Sequence, residues 1–558
     1  MSYYRGFVLG TLLISGIAVA APPVAPEAGW HRLDAGTFAG FEQAVSADFM
    51  QGRKPGTVGE KRITRYLIER FRAIGLQPGF HGSWTQRVPV VGVTLKNAQG
   101  LTLNVTEGGS VQRFAIGREM MVLSRQARPV VDLKDSPVIF VGYGIDAPNW
   151  HWNDYAGTDV RGKTVIMLVN DPGFATGNSK LFRGRTMTYY GRWDYKYQAA
   201  ARQGAAAGFV VHTSNAAAAY PWAVVENSWG GEQLSLPTSV DPGPRLPVAG
   251  WLTRAAAERL FKRAGLNFAA LLKQAAQPGF RAVPLPAKAS IRLQNKIRHF
   301  ESNNIAALLP GRTQPHEAIV FSAHWDHLGM DPSLKGHQIY NGAIDNGTGL
   351  AVMLSLAGAY AAAPERPQRS ILFMLPTLEE SGLLGSQYYV RHPAIPLDQT
   401  VADINVDAWR MQGPAHNMIL VGSGQSSLDG MLRKVLAMQG RTLTAELNPQ
   451  NGTYFRSDHF NFAKAGVPAL YVSSGLDLLR GGTQAGLAGA REYVQHHYHT
   501  PRDVLQSNWN FAGAVPDMRA LYRLGWWLAD SSIWPYWNAQ SAFHAAGEKL
   551  EQQREGRN

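Results

Sequence analysis

Ala323-His324-Trp325-Asp326-His327 opens a series that continues with Gly342-Ala343-Ile344-Asp345-Asn346-Gly347-Thr348-Gly349, then Glu379-Glu380, then Asn405-Val406-Asp407. Three short apolar runs, Ala318 to Ser322, Ile371 to Leu375 and Val401 to Val406, end just before His324, the Glu pair and Asp407, and read as buried strands. In an open α/β sheet, ligand-binding groups collect beyond the carboxyl ends of the strands. The spacing therefore predicts one rim carrying His324, Glu379, Glu380 and Asp407.

Adjacent residues leaving a strand point in different directions, so one of Glu379 and Glu380 can bind a cation while the other faces a water as general base. Acidic pairs also occur on solvated surfaces, but this one follows the apolar run Phe373-Met374-Leu375-Pro376. Asp345 sits in a glycine-rich turn that lets a helix from Leu350 pack closely on the sheet. Its carboxylate can bridge two cations or simply cap that helix.

Working outward, 558 residues exceed one ordinary core, and 45% apolar with 10% aromatic content marks a globular chain of two or three units. There is no cysteine, so any metal must be held by imidazole and carboxylate. The net charge of +13 comes from scattered Arg, without a groove-reading motif, so no nucleic-acid partner is expected. Residues 1–20 pair Arg5 with an apolar stretch from Gly6 to Val19 and end in Ala18-Val19-Ala20, the pattern of a cleavable signal peptide. Export to the periplasm or the extracellular space is expected, with no stable membrane span in the mature chain, because that stretch is shorter than the ~20 residues a span needs.

The expected organisation is an N-terminal part at 21–129, an insertion at 130–255, a connection at 256–300, the main unit at 301–537 and a polar tail at 538–558 that frays or is disordered. Thr57-Val58-Gly59-Glu60 predicts a capped helix ending at Gly75, with Ile63, Tyr66, Leu67, Phe71 and Ile74 on its packed face. The insertion reads as short strands broken by Gly, Asn, Asp and Pro. Its aromatics (Trp150, Trp152, Tyr155, Tyr189, Tyr190, Trp193) suit a core or an interface, or else a substrate entrance. The fold class is α/β: a mixed, mainly parallel sheet flanked by helices, with a smaller α/β insertion.

Together with Tyr498-His499-Thr500-Pro501, the four clusters resemble the co-catalytic di-zinc aminopeptidase family, which shares its zinc-dependent exopeptidase fold with glutamate carboxypeptidases. The motifs follow the family's order across residues 303–503. The insertion resembles a protease-associated domain through Phe140-Val141-Gly142-Tyr143-Gly144, Asp154-Tyr155-Ala156-Gly157 and Gly162-Lys163-Thr164-Val165. The resemblance implies two Zn2+ per chain: His324 and Asp407 on one, Glu380 and His499 on the other, and Asp345 bridging. It further implies Glu379 as general base, Asp326 orienting the His324 imidazole, and Tyr498 donating to the oxyanion. His327 is expected to point elsewhere, His496 and His497 to lie at the surface or behind the ligands, and Asp458-His459 to shape the pocket. The implied activity is aminopeptidase cleavage of peptides. Carboxypeptidase or dipeptidase action shares the same core and would want arginines such as Arg410 or Arg456 for a terminal carboxylate. A glutaminyl cyclase would use one zinc, and a binding scaffold would lack ligands.

Overall fold

The computed structural model describes residues 25–96 and 102–557, so the expected leader at 1–20 lies outside the described residues. Arg369–Leu375, Gln314–Ser322, Thr400–Val406 and Ala469–Ser474 lie side by side in that order, all parallel. Covered on both faces, their buried segments are mainly apolar, with Asp403 and Asn405 of Thr400–Val406 buried beside the Ser322 hydroxyl. Antiparallel strands complete the sheet: Val283–Leu309 and then Thr85–Leu95 on one side, Asn417–Val421 on the other.

The helix Thr348–Ala361 is buried along nearly its whole length, and the helices Ala35–Val45, Val58–Ile74 and Ala514–Ala529 pack around it. A helix apolar on every side needs cover on every side. Val58–Ile74 forms where expected: Thr57 accepts the Gly59 N–H at 3.1 Å, and Gly75 ends the helix at φ 95°. Glu60 leaves the usual capping box, taking the Gly56 N–H at 2.5 Å with one oxygen and Ser302 and Asn303 with the other. The cap thereby anchors the helix to the sheet. Ile63, Leu67 and Phe71 are fully buried.

A second sheet contains Val130–Phe140, Thr164–Leu168, Ala207–His212 and Val248–Thr253, parallel over their paired residues. Met120–Leu123 joins one edge, and the hairpin of Thr102–Glu107 and Ser110–Ala115 enters on the other side, so this unit begins before residue 130. It continues past 255 with the helices Arg254–Arg263 and Phe268–Ala275. The strand Val283–Leu309 belongs to both sheets. Residues up to 294 pair with Val130–Phe140, and those from 295 pair with Thr85–Leu95.

Trp152 and Tyr155 are core residues of the second sheet, and Tyr189 reaches across to Phe460 (5.1 Å between ring centres) and Phe455 (6.1 Å). The aromatic-rich stretch thus builds core and interface. The polar tail is ordered rather than frayed. His544–Glu555 is helical, Phe543 is buried, Arg554 lies 3.9 Å over the Trp534 ring, and Arg557 pairs with Asp398 at 2.5 Å. The aliphatic stems of charged side chains cover apolar surface while their heads stay wet, an arrangement composition does not reveal. Among the described residues no helix is long and apolar enough to cross a membrane.

Candidate metal centre

His324 emerges two residues past its strand and is 1% exposed. Its Nδ1 donates to the backbone carbonyl of Asp326 at 3.1 Å, which leaves Nε2 facing Asp345 Oδ1 (3.3 Å) and Asp407 Oδ1 (3.4 Å). Asp326 thus meets the imidazole through its backbone. Its carboxylate stands 3.8 Å from the ring and instead accepts the Glu379 N–H at 3.1 Å.

Asp345 follows Gly342, whose φ of 58° and tight packing on the His327 ring leave no room for a side chain. Asp503, four residues beyond His499, accepts the Ile344 and Asp345 amides at 2.9 and 3.1 Å. On the other side, the Asn346 amide donates to the Val406 carbonyl (3.0 Å) and its oxygen takes the Ala408 N–H (3.2 Å). Three separate stretches of chain are therefore joined through this turn. Asp345 divides its carboxylate, with Oδ1 toward His324 and Oδ2 at 3.1 Å from His499 Nε2.

Glu380 divides its carboxylate too. Oε2 lies 3.0 Å from His499 Nε2, and Oε1 accepts from His327 Nδ1 at 2.6 Å. His327, expected to point elsewhere, is buried inside the site because the chain folds back under Gly342. Glu379 Oε2 is 3.9 Å from His324 Nε2, separated from Glu380 as expected for adjacent residues leaving a strand. Tyr498 stacks its ring on His499 (3.9 Å between centres, 23°) and is 40% exposed. His496 and His497 face Glu492 at the surface. Asp458 is buried behind the site, accepting the Ser386 hydroxyl at 2.5 Å, and His459 is buried between Tyr454 and Tyr471.

Arg53 gave no sequence signal. It is fully buried beneath these loops, and its guanidinium donates to the carbonyls of Trp325 (2.9 Å), Val45 (3.1 Å), Asn341 (2.5 Å), Gly342 (2.9 Å) and Asp345 (3.5 Å). It ties the His324 loop to the Asp345 turn from below.

The electrostatics call for cations. Burial pushes the Glu379 carboxyl well up, with His324 opposing. Burial opposes charging of His324, but Glu379 and Asp407 hold its pKa well above the ordinary value. His499 is likewise driven up to about 10, Glu380 and Asp345 outweighing burial. Among the described residues no Lys or Arg ion-pairs with Asp345, Glu379, Glu380 or Asp407; their partners are imidazoles. Two sets bring one donor atom per residue within 4.8 Å: His324, Glu379 and Asp407, and His327, Asp345 and Glu380. Buried carboxylates and imidazoles without thiolates fit divalent ions such as zinc.

Residues 304–522 match the family model described as Peptidase family M28. This segment belongs to peptidase family M28. A vacuolar membrane protease of Yarrowia lipolytica is 35% identical over 100 residues, 18% of this chain and 9% of that protein. The mouse aminopeptidase NAALADL1 is 28% identical over 138 residues, 23% of this chain and 17% of its own length. The chain therefore spans less than a fifth of the length of these relatives. Among solved structures, an aminopeptidase from Aneurinibacillus sp. strain AM-1 covers 90% of this chain and 95% of its own, with a TM-score of 0.50 at 18% identity. That likeness shows the M28 segment and the second sheet in a shared fold.

Proposed function

We propose that this chain is an exported zinc aminopeptidase that removes N-terminal residues from peptides. The observation that carries the reading is the divided carboxylate of Asp345, one oxygen toward His324 and the other toward His499. His324 and Asp407 would hold one Zn2+, Glu380 and His499 the other, and Asp345 both. Two ions held there supply an acidified water and a polarised scissile carbonyl. Glu379, buried and raised in pKa, takes a proton from the attacking water and returns it to the leaving amine. Tyr498, whose hydroxyl makes no hydrogen bond among the described residues, donates to the developing oxyanion. Asp326 fixes the Glu379 backbone, and its carbonyl sets the His324 tautomer. The second sheet serves as a protease-associated domain, and the leader at 1–20 directs the chain to the periplasm or beyond.

A second reading, carboxypeptidase or dipeptidase, draws support from Arg410 and Arg456. Neither ion-pairs with any described carboxylate; Arg410 donates to the Ser474 carbonyl (3.2 Å) and Arg456 to the Asn451 carbonyl (2.9 Å). The test is hydrolysis of an aminoacyl-p-nitroanilide panel and of peptides blocked at either end, with metal content measured on each sample. Cleavage restricted to free-amine substrates, with about two zinc per chain, is expected. Cleavage of amine-blocked but not carboxyl-blocked peptides would transfer the assignment to the second reading. Metal-loaded protein that cleaves none of them would make it a binding scaffold.

A further inference from the structure

His327 lies outside the ligand set assigned above, yet its contact with Glu380 is shorter than any between the assigned ligands. Its Nδ1 meets Glu380 Oε1 at 2.6 Å, against 3.0 Å for His499 on Oε2 of the same carboxylate. The ring has little freedom. It is 1% exposed, its backbone N–H points at the Arg53 carbonyl (3.4 Å), and a Cβ on Gly342 would come within 2.6 Å of it. Among the described residues its Nε2 has no hydrogen-bond partner, and the one polar link of this imidazole is to Glu380.

We propose that His327 is a positioning residue for Glu380: by occupying Oε1 it leaves Oε2 as the single oxygen offered to an ion on the His499 side. The inference rests on the two-metal reading above. A carboxylate free to rotate about its last torsion can close both oxygens on one ion or swing away from it, because that torsion is broad. A charge-assisted hydrogen bond to one oxygen removes that freedom. The donor must be rigid, and Gly342 and the Arg53 carbonyl hold this one in place. Groups that orient ligands in this way affect metal affinity by about 10–100-fold when removed.

The experiment uses the full chain refilled with zinc, with stepwise removal by a competing chelator in wild type, His327→Ala and His327→Asn. The Asn side-chain amide can stand where Nδ1 stands, and thermal unfolding of each zinc-loaded protein confirms that it is folded. For His327→Ala, about 10–100-fold weaker retention of one ion is expected, with the other unchanged; in His327→Asn retention recovers most of that loss. Unchanged retention in His327→Ala would overturn the proposal. So would loss of the ion from His327→Asn as complete as from His327→Ala, which would make His327 a ligand. A wild type that takes up only one zinc would refute the two-metal reading, and the affinity of that ion across the variants would still judge His327.

Discussion

Asp503 holds Asp345 by its backbone: the Asp503 carboxylate accepts the Asp345 N–H at 3.1 Å and the Ile344 N–H at 2.9 Å. The loop that carries His499 is thereby fastened to the turn that carries the shared carboxylate. Asp503→Ala leaves two buried amides without an acceptor and is expected to cost about 2–4 kcal/mol. Asp503→Asn, which keeps one oxygen, should cost less. Urea midpoints at unchanged slope measure both.

Glu379→Gln keeps the volume and removes the base. Metal content should match wild type while kcat falls by about 10²–10⁴-fold. Turnover near the wild-type rate would remove Glu379 from the proton transfer.

Tyr498→Phe retains the ring stacked on His499 and loses only the hydroxyl. A loss of about 10²–10³-fold in kcat with little change in KM is expected if that hydroxyl serves the oxyanion. A change confined to KM would assign it to substrate binding.

Arg53→Met keeps an aliphatic stem but strips the donors from five backbone carbonyls. A loss of about 3–5 kcal/mol is expected, as for a broken buried charge network, together with weaker metal retention. Unfolding followed with and without zinc separates the two effects.

His459 carries an acid-stability prediction. Burial lowers its pKa from 6.5 to about 3. Below pH 6.5 the unfolded chain takes up a proton that the folded one refuses, so this contribution is intact above 6.5 and is lost as pH falls toward 3, by up to about 1.4 kcal/mol per pH unit. His459→Phe should flatten that part of the profile relative to wild type, as read from urea midpoints between pH 5 and 7.

How much was legible follows from how far each signal travels along the chain. Strand ends were readable because Ile371 to Leu375 is covered on both faces and wholly apolar, while Val401 to Val406 keeps its apolar positions and pairs the buried Asp403 and Asn405 with Ser322 and Ser457. His324, Asp345, Glu379 and Asp407 stood out because each directly follows such a strand or a glycine turn. Arg53 was not readable: it meets the Trp325 carbonyl 272 residues away, and carbonyl acceptors leave no side-chain trace. His327 is expected from sequence to point elsewhere, because its packing under Gly342 and its contact with Glu380 join loops that the sequence does not place together. Val283–Leu309 begins with Pro and Ala and looked like a connection. Its pairing on both edges comes from strands that are remote in sequence.

That strand bears on how substrate enters. Domain closure needs a few residues free to absorb large changes in φ and ψ. Gln294 pairs with Val130 and Asn295 with Leu95, so the passage from one sheet to the next contains no unpaired residue to serve as a joint. The insertion is therefore expected to act as a fixed wall rather than a jaw, with substrate entering past the loops that border the metal centre. Removing either sheet would strip partners from part of the same 27-residue strand, so the two units are expected to melt together.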